Sequence, residues 1–88
     1  METKIALVGI IIEDLDASVQ VNALLHDVAD KVLCRMGFPY RNCGVHLISI
    51  IMDATSDDIN ELADKLNRLN GVFANTMLTN TEDISSDR

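Results

Sequence analysis

"KVLCRMGFPYRNCGVHLISIIMD", residues 31–53, is the stretch whose reading decides the fold. A helical spacing from upstream can be stretched as far as Val32, yet Val32, Cys34, Met36 and Phe38 also alternate along one side of a strand. Gly37 and Pro39 argue against a continuing helix, the first through backbone entropy and the second because it has no N–H to donate. "RNCG" (41–44) then supplies turn chemistry, with Asn42 and Gly44 both able to take positive φ. "VHLISIIMD" (45–53) follows as a second β-branched run, so 31–53 reads as a β-hairpin.

Upstream, "KIALVGIIIED" (4–14) is a β-branched run closed by acids, too short for a buried helix and read as a strand. "DASVQVNALLHDVAD" (16–30) changes period: Val21, Leu24, Leu25 and Val28 share one helical face, and Asp14 or Asp16 can cap the first turn. Downstream, Thr55 and Ser56 compete as N-cap for a second helix whose stripe is Ile59, Leu62, Leu66 and Leu69, with Asp57 and Asp58 at the positive end of its dipole. Asn70 and Gly71 end that helix in a left-handed cap, and "VFANTML" (72–78) is a fourth strand. The expected unit is one α+β domain over 1–78, followed by a polar, disordered 79–88. Its order, βαββαβ, folds most simply as a ferredoxin-like two-layer sandwich, a four-stranded antiparallel sheet with both helices on one face and strands one and three in the centre.

At 88 residues the domain is near the size where one core barely offsets chain entropy. The 48% hydrophobic content includes only three aromatics, so aliphatic side chains and Met must fill that core, and ring platforms for stacking nucleic-acid bases are missing. A net charge of −7 repels phosphate backbones, which argues against direct nucleic-acid binding. The first apolar run, 5–12, is too short to span a bilayer and no small-residue cleavage pattern follows it. The expectation is a cytoplasmic protein with no membrane partner, in which Cys34 and Cys43 are free thiols.

Both central strands lack a wet side. Ile5, Leu7, Gly9 and Ile11 alternate with Ala6, Val8, Ile10 and Ile12, while Val45, Leu47 and Ile51 alternate with Ile48, Ile50 and Met52. Helices cover only one face of such a sheet, and the other has a projected area of roughly 400 Å². A second copy is therefore expected on the open face, giving a homo-oligomer, a dimer or tetramer, through Ile10, Ile12, Ile48, Ile50 and Met52. The competing reading is that the extra apolar residues pack under the tail, which holds one large apolar side chain, Ile84.

Lys31, Arg35 and Arg41 place three of the seven basic residues in the hairpin of an acidic chain. Guanidinium groups offer paired donors to a carboxylate or phosphate; charge balance with nearby acids is the plainer alternative. Asn22 and His26 lie, with Val19, on a helix face turned from the core stripe, so Asn22, His26, Arg35 and Arg41 are the candidate ligand-binding residues. His46 reads as packing. His26, Cys34, Cys43 and His46 are ligand types suited to zinc or nickel, but with no C-x-x-C or H-x-H spacing no metal site is assigned. No Gly-rich phosphate loop or nucleophile elbow appears, Glu13 and Asp14 are explained by capping, and neither a catalytic residue nor a cofactor is assigned.

"SVQVNALLH", "RMGFPYRNCGVHLISIIMDA" and "LADKLNRLNGV" resemble a bacterial family of small regulators of the iron-only hydrogenase system, related to ACT-like regulatory domains. The resemblance runs over most of 4–78 and implies a ferredoxin-like, oligomeric domain with a regulatory rather than catalytic role. Its arginine and histidine positions are matched by Arg35, Arg41 and His26. Two positions depart from the pattern: Cys34 stands where a small glycine is expected, and "DKLNRLNG" replaces a more glycine-rich segment. The function expected is that of a sensor or adaptor binding a small ligand or partner protein between subunits and touching transcription through another protein. The alternatives are a small-molecule enzyme on the same fold, with Cys34 or His26 as first candidates, and a metal sensor distantly like the sensing domain of nickel-responsive repressors.

Overall fold

The structure, a computed structural model, describes residues 2–79. It contains β1 (Lys4–Ile12), α1 (Ser18–Asp27), β2 (Val32–Tyr40), β3 (Val45–Ala54), α2 (Ser56–Asn67) and β4 (Val72–Leu78). Short 3₁₀ turns, Leu15–Ala17 and Ala29–Lys31, flank α1, so the helical stretch expected over 16–30 is an α-helix with tighter ends. The strands form one sheet in the order β2-β3-β1-β4, with every neighbouring pair antiparallel. This is the βαββαβ two-layer arrangement read from the sequence. The expected disorder of 79–88 falls outside the described residues except at Thr79, whose N–H donates to the Ile5 carbonyl over 2.9 Å and continues the β4 ladder.

The core lies between the sheet and the helices. Ala6, Val8, Ile10 and Ile12 of β1 and Ile48, Ile50, Met52 and Ala54 of β3 form its floor, closed by Val21 and Leu25 from α1 and Ile59, Leu62 and Leu66 from α2. Small residues recur in this layer, at Ala6, Ala54 and Ala74, all of them buried. The assignment of Ile10, Ile12, Ile48, Ile50 and Met52 to a partner surface is thereby overturned: each is 3% exposed or less within the single chain, held under the helices. Alternation had identified two apolar sets, and the set opposite these five faces outward.

A second correction concerns β2. Val32 pairs with Met52 and Cys34 with Ile51, so Leu33 is an extra residue in the strand, a β-bulge. The bulge reverses the phase. Val32 turns toward the helices, whereas Cys34, Met36 and Phe38, opposite Ile51, Ser49 and Leu47, turn to the open side.

Capping follows side-chain chemistry. The Thr55 hydroxyl accepts the Asp58 N–H over 3.2 Å and starts α2, with Asp57 and Asp58 in its first turn. Asp14 accepts from the Asp16 N–H over 3.0 Å and starts the turn that leads into α1. In the β2–β3 turn Gly44 takes the positive φ and Asn42 does not.

Gly71 ties the end of α2 to the end of β1. Its φ is +72°, its carbonyl accepts the Glu13 N–H over 2.7 Å, and a Cβ there would lie 2.5 Å from Asp14 Cβ and 2.9 Å from Asp14 N. Both the left-handed backbone and the close approach exclude a side chain. Gly71→Ala is expected to cost at least about 2 kcal/mol, combining the left-handed penalty with displacement of Asp14, and to lower the melting midpoint by about 10 °C or more. A thermal melt within a few degrees of wild type would contradict the contact.

The outer edge of β4 is held by a side chain. Asn67, the last residue of α2, donates from Nδ2 to the Ala74 carbonyl over 3.0 Å and accepts the Ala74 N–H over 2.8 Å. Asn67→Ala removes both bonds and is expected to cost about 1–2 kcal/mol in urea unfolding. Asn67→Asp is expected not to restore it, because a carboxylate has no donor for the Ala74 carbonyl.

Candidate functional site

β2 is the least covered element of the fold. It forms one edge of the sheet, and after the half-buried Val32 every residue through Tyr40 is exposed. Arg35, opposite Ile50, points to the same side as the helices, but α1 reaches over the strand only near its start. There Arg35 meets Asn22: one guanidinium Nη donates to Asn22 Oδ1 over 2.6 Å, joining residues 13 apart in sequence.

His26 lies one turn along α1 from Asn22, on the same face. Asn22, His26 and Arg35 border a depression of about 420 Å³ whose apolar base is Leu25, Val32 and Ile50, with Ala29 at one end. Three of the four residues expected to bind ligand are thus brought together. Arg41 is not among them: it sits in the β2–β3 turn, six residues and roughly 20 Å of extended strand beyond Arg35, beside a separate depression of about 270 Å³ that includes Leu15, Tyr40 and His46. The bulge at Leu33 brings Val32 into the base while leaving Arg35 on its rim, an arrangement that simple alternation along β2 does not show.

The electrostatics of this rim are unusual for an acidic chain. Lys31 lies 4.0 Å from Asp30 and 3.9 Å from Asp58, and Lys65 lies 3.0 Å from Glu61. Among the described residues no carboxylate comes within ion-pair distance of Arg35, whose partner is a neutral amide oxygen. The remaining N–H donors of its planar group are available at the mouth of the depression.

The residues of metal-ligand type do not converge. Cys34 faces the open side of the sheet and His26 the helix side; Cys43 is exposed in the turn; and His46, half-buried, has its Nε2 3.3 Å from the position a Cβ on Gly37 would occupy. Among the described residues no three of His, Cys, Asp and Glu come together as a metal site would require.

The open side of the sheet forms three rows across all four strands. Cys34, Ile51, Leu7 and Met77 make one, and Phe38, Leu47, Ile11 and Phe73 another. Met36, Ser49, Gly9 and Asn75 lie between them, with a low centre at Gly9, where a Cβ would meet no atom within 4 Å. Phe38 and Tyr40 stack at one corner with ring centroids 6.0 Å apart. Nine large apolar side chains of this face are at least 36% exposed. No helix among the described residues is long and apolar enough to cross a membrane.

Solved structures of similar shape are found. The uncharacterized protein TM1266 from Thermotoga maritima superposes with a TM-score of 0.84 at 29% identity, covering 88% of this chain and 98% of that one. The ACT domain from the GTP pyrophosphokinase of Chlorobium tepidum superposes with a TM-score of 0.66 at 20% identity, covering 90% of this chain and 89% of that one. A formyltetrahydrofolate deformylase from Pseudomonas putida KT2440 superposes with a TM-score of 0.61 at 15% identity over 83% of this chain, which corresponds to 28% of the deformylase chain. The last two likenesses establish an ACT-like fold and nothing further. No curated protein matches the chain in sequence. A family model does match, over residues 4–76, with the β1 strand, the Asn22–Arg35 rim and the Gly71 joint all inside it: the chain belongs to the TM1266-like family, described as "iron-only hydrogenase system regulator, putative".

Proposed function

We propose that the chain is a regulatory domain that assembles from its own copies and senses a small anionic molecule, a carboxylate or phosphate, at the depression between α1 and β2. The observation that carries this reading is the convergence of Asn22, His26 and Arg35 on one rim, with the guanidinium aimed at no carboxylate of the described chain. The apolar base supplies contact area, and Arg35 with Asn22 supplies orientation, the division of labour typical of small-molecule sites. His26 gives the rim a second nitrogen donor or acceptor. The role is regulatory rather than catalytic, in keeping with the family, and any influence on transcription passes through another protein, since a chain of net charge −7 is repelled by a phosphate backbone.

A thermal-shift screen over amino acids, other carboxylates, nucleotides and divalent metals tests the reading, because a ligand of the native state raises apparent stability by mass action. A compound present at 100 times its Kd is expected to add about 2.7 kcal/mol. The shift should come from carboxylates or phosphates and disappear in Arg35→Ala, which in the unliganded protein costs less than about 1 kcal/mol because the side chain is exposed. Shifts by anions that persist undiminished in Arg35→Ala would refute this site. A shift confined to metals would favour a metal sensor, and turnover of a shifting compound would favour an enzyme.

A further inference from the structure

We infer that the open face of the sheet is the surface through which two copies of the chain pack, sheet against sheet, with the centre of the contact at Gly9. The inference rests on the assembly proposed above and specifies its surface.

The first observation is what the face lacks. In a chain with 24% charged residues, Asp53, at the end of β3, is the only Lys, Arg, Asp or Glu among the described residues that point to this side. Apart from Asp53, the charge of the described residues lies on the helices, the turns and the other side of the strands. A surface with a single charged residue, at its margin, matches the core of an interface, where charged residues are depleted. It also lets identical copies approach without bringing like charges face to face.

The second is area. Strands of nine, ten and nine residues with a seven-residue neighbour are longer than the ~20 Å behind the ~400 Å² expected from sequence, and give a face of roughly 30 by 19 Å, about 570 Å² per copy. Two such faces bury more than about 1,100 Å² together, above the roughly 1,000 Å² at which specific association becomes sustainable. Positions 80–88 hold one large apolar side chain, Ile84, against the nine exposed on this face.

The third is relief. The low centre at Gly9 and Ser49 runs between the ridges Leu7–Ile51 and Ile11–Leu47. A second sheet packed about 10 Å away interdigitates with such relief, a large apolar side chain of each copy filling the space left by the other's Gly9. A Cβ added at Gly9 meets no atom within 4 Å in the single chain, whereas a side chain there is obstructive in the pair.

Light scattering with far-UV circular dichroism on wild type, Leu47→Asp and Gly9→Leu at micromolar concentration tests the inference. Wild type is expected at twice the chain mass or a multiple of it, and both variants at half the wild-type mass or less with unchanged dichroism. A wild-type protein that runs as a single chain overturns both this surface and the proposed assembly. A wild-type oligomer whose mass survives both substitutions overturns the surface and leaves assembly, through another face, standing. If Leu47→Asp loses its native dichroism, Gly9→Leu decides alone: retained mass overturns the inference, and loss of mass with native dichroism supports it.

Discussion

The pairing of β1 with β3, nine consecutive residues from Lys4–Ala54 to Ile12–His46, is the constraint from which the rest of the molecule follows. It places Ala6, Val8, Ile10 and Ile12 beside Met52, Ile50 and Ile48 as one continuous sheet of buried apolar surface, and the helices need only cover it. The same pairing puts Leu7 beside Ile51 and Ile11 beside Leu47 on the other side. A period of two leaves no freedom here: once one set of side chains is inside, its alternate set is outside. An apolar open face is thus a direct consequence of two central strands that are apolar at nearly every position.

The element order, both helices, the hairpin and its turn at 41–44 were legible because each was signalled by local chemistry. Period changes separated helix from strand, Thr55 could cap α2, and glycine stood at both positions that take a left-handed backbone. What alternation did not settle was which side faced the helices, and Ile10, Ile12, Ile48, Ile50 and Met52 were placed on the wrong one. A signal was nevertheless present. Gly9, Ser49, Asp53 and Asn75 all fall in the opposite phase, whereas Ala6, Ala54 and Ala74 fall in theirs. Although His46 and Thr76 share the buried phase, polar residues favour the wetter side and the three alanines lie on the buried one, so these minority positions, rather than the large aliphatics common to both phases, carried the distinction.

The candidate ligand residues were legible as types and only partly as a group. Asn22 and His26 shared a helix face by spacing alone, but their meeting with Arg35 depends on the bulge at Leu33. Without the extra residue Arg35 would take the phase of the open face, away from α1. A bulge is set by tertiary fit at a sheet edge, and its sequence mark here, an additional leucine within an apolar run, is indistinguishable from ordinary alternation. Arg41 was grouped with the others by charge and by nearness in sequence, yet an extended strand carries it away by about 3.4 Å per residue.

β2 joins the two proposed surfaces. Arg35 projects on its helix side and Met36, the next residue, on its open side, in a strand that α1 reaches over only near its start. On the helix side, among the described residues, it is fastened by the Asn22–Arg35 bond to α1 and by the packing of Val32 against the core. An anion that takes the free donors of Arg35 would act on the same short backbone segment whose other side lies in the proposed subunit surface. Any ligand-induced change in the pose of this edge strand would therefore alter subunit affinity, and linkage requires the reverse effect to be of equal size. The coupling needs no path through the core, because the two side chains are neighbours on one strand. A weakly covered edge can shift at low energetic cost, whereas the β1–β3 centre, buried beneath both helices, cannot.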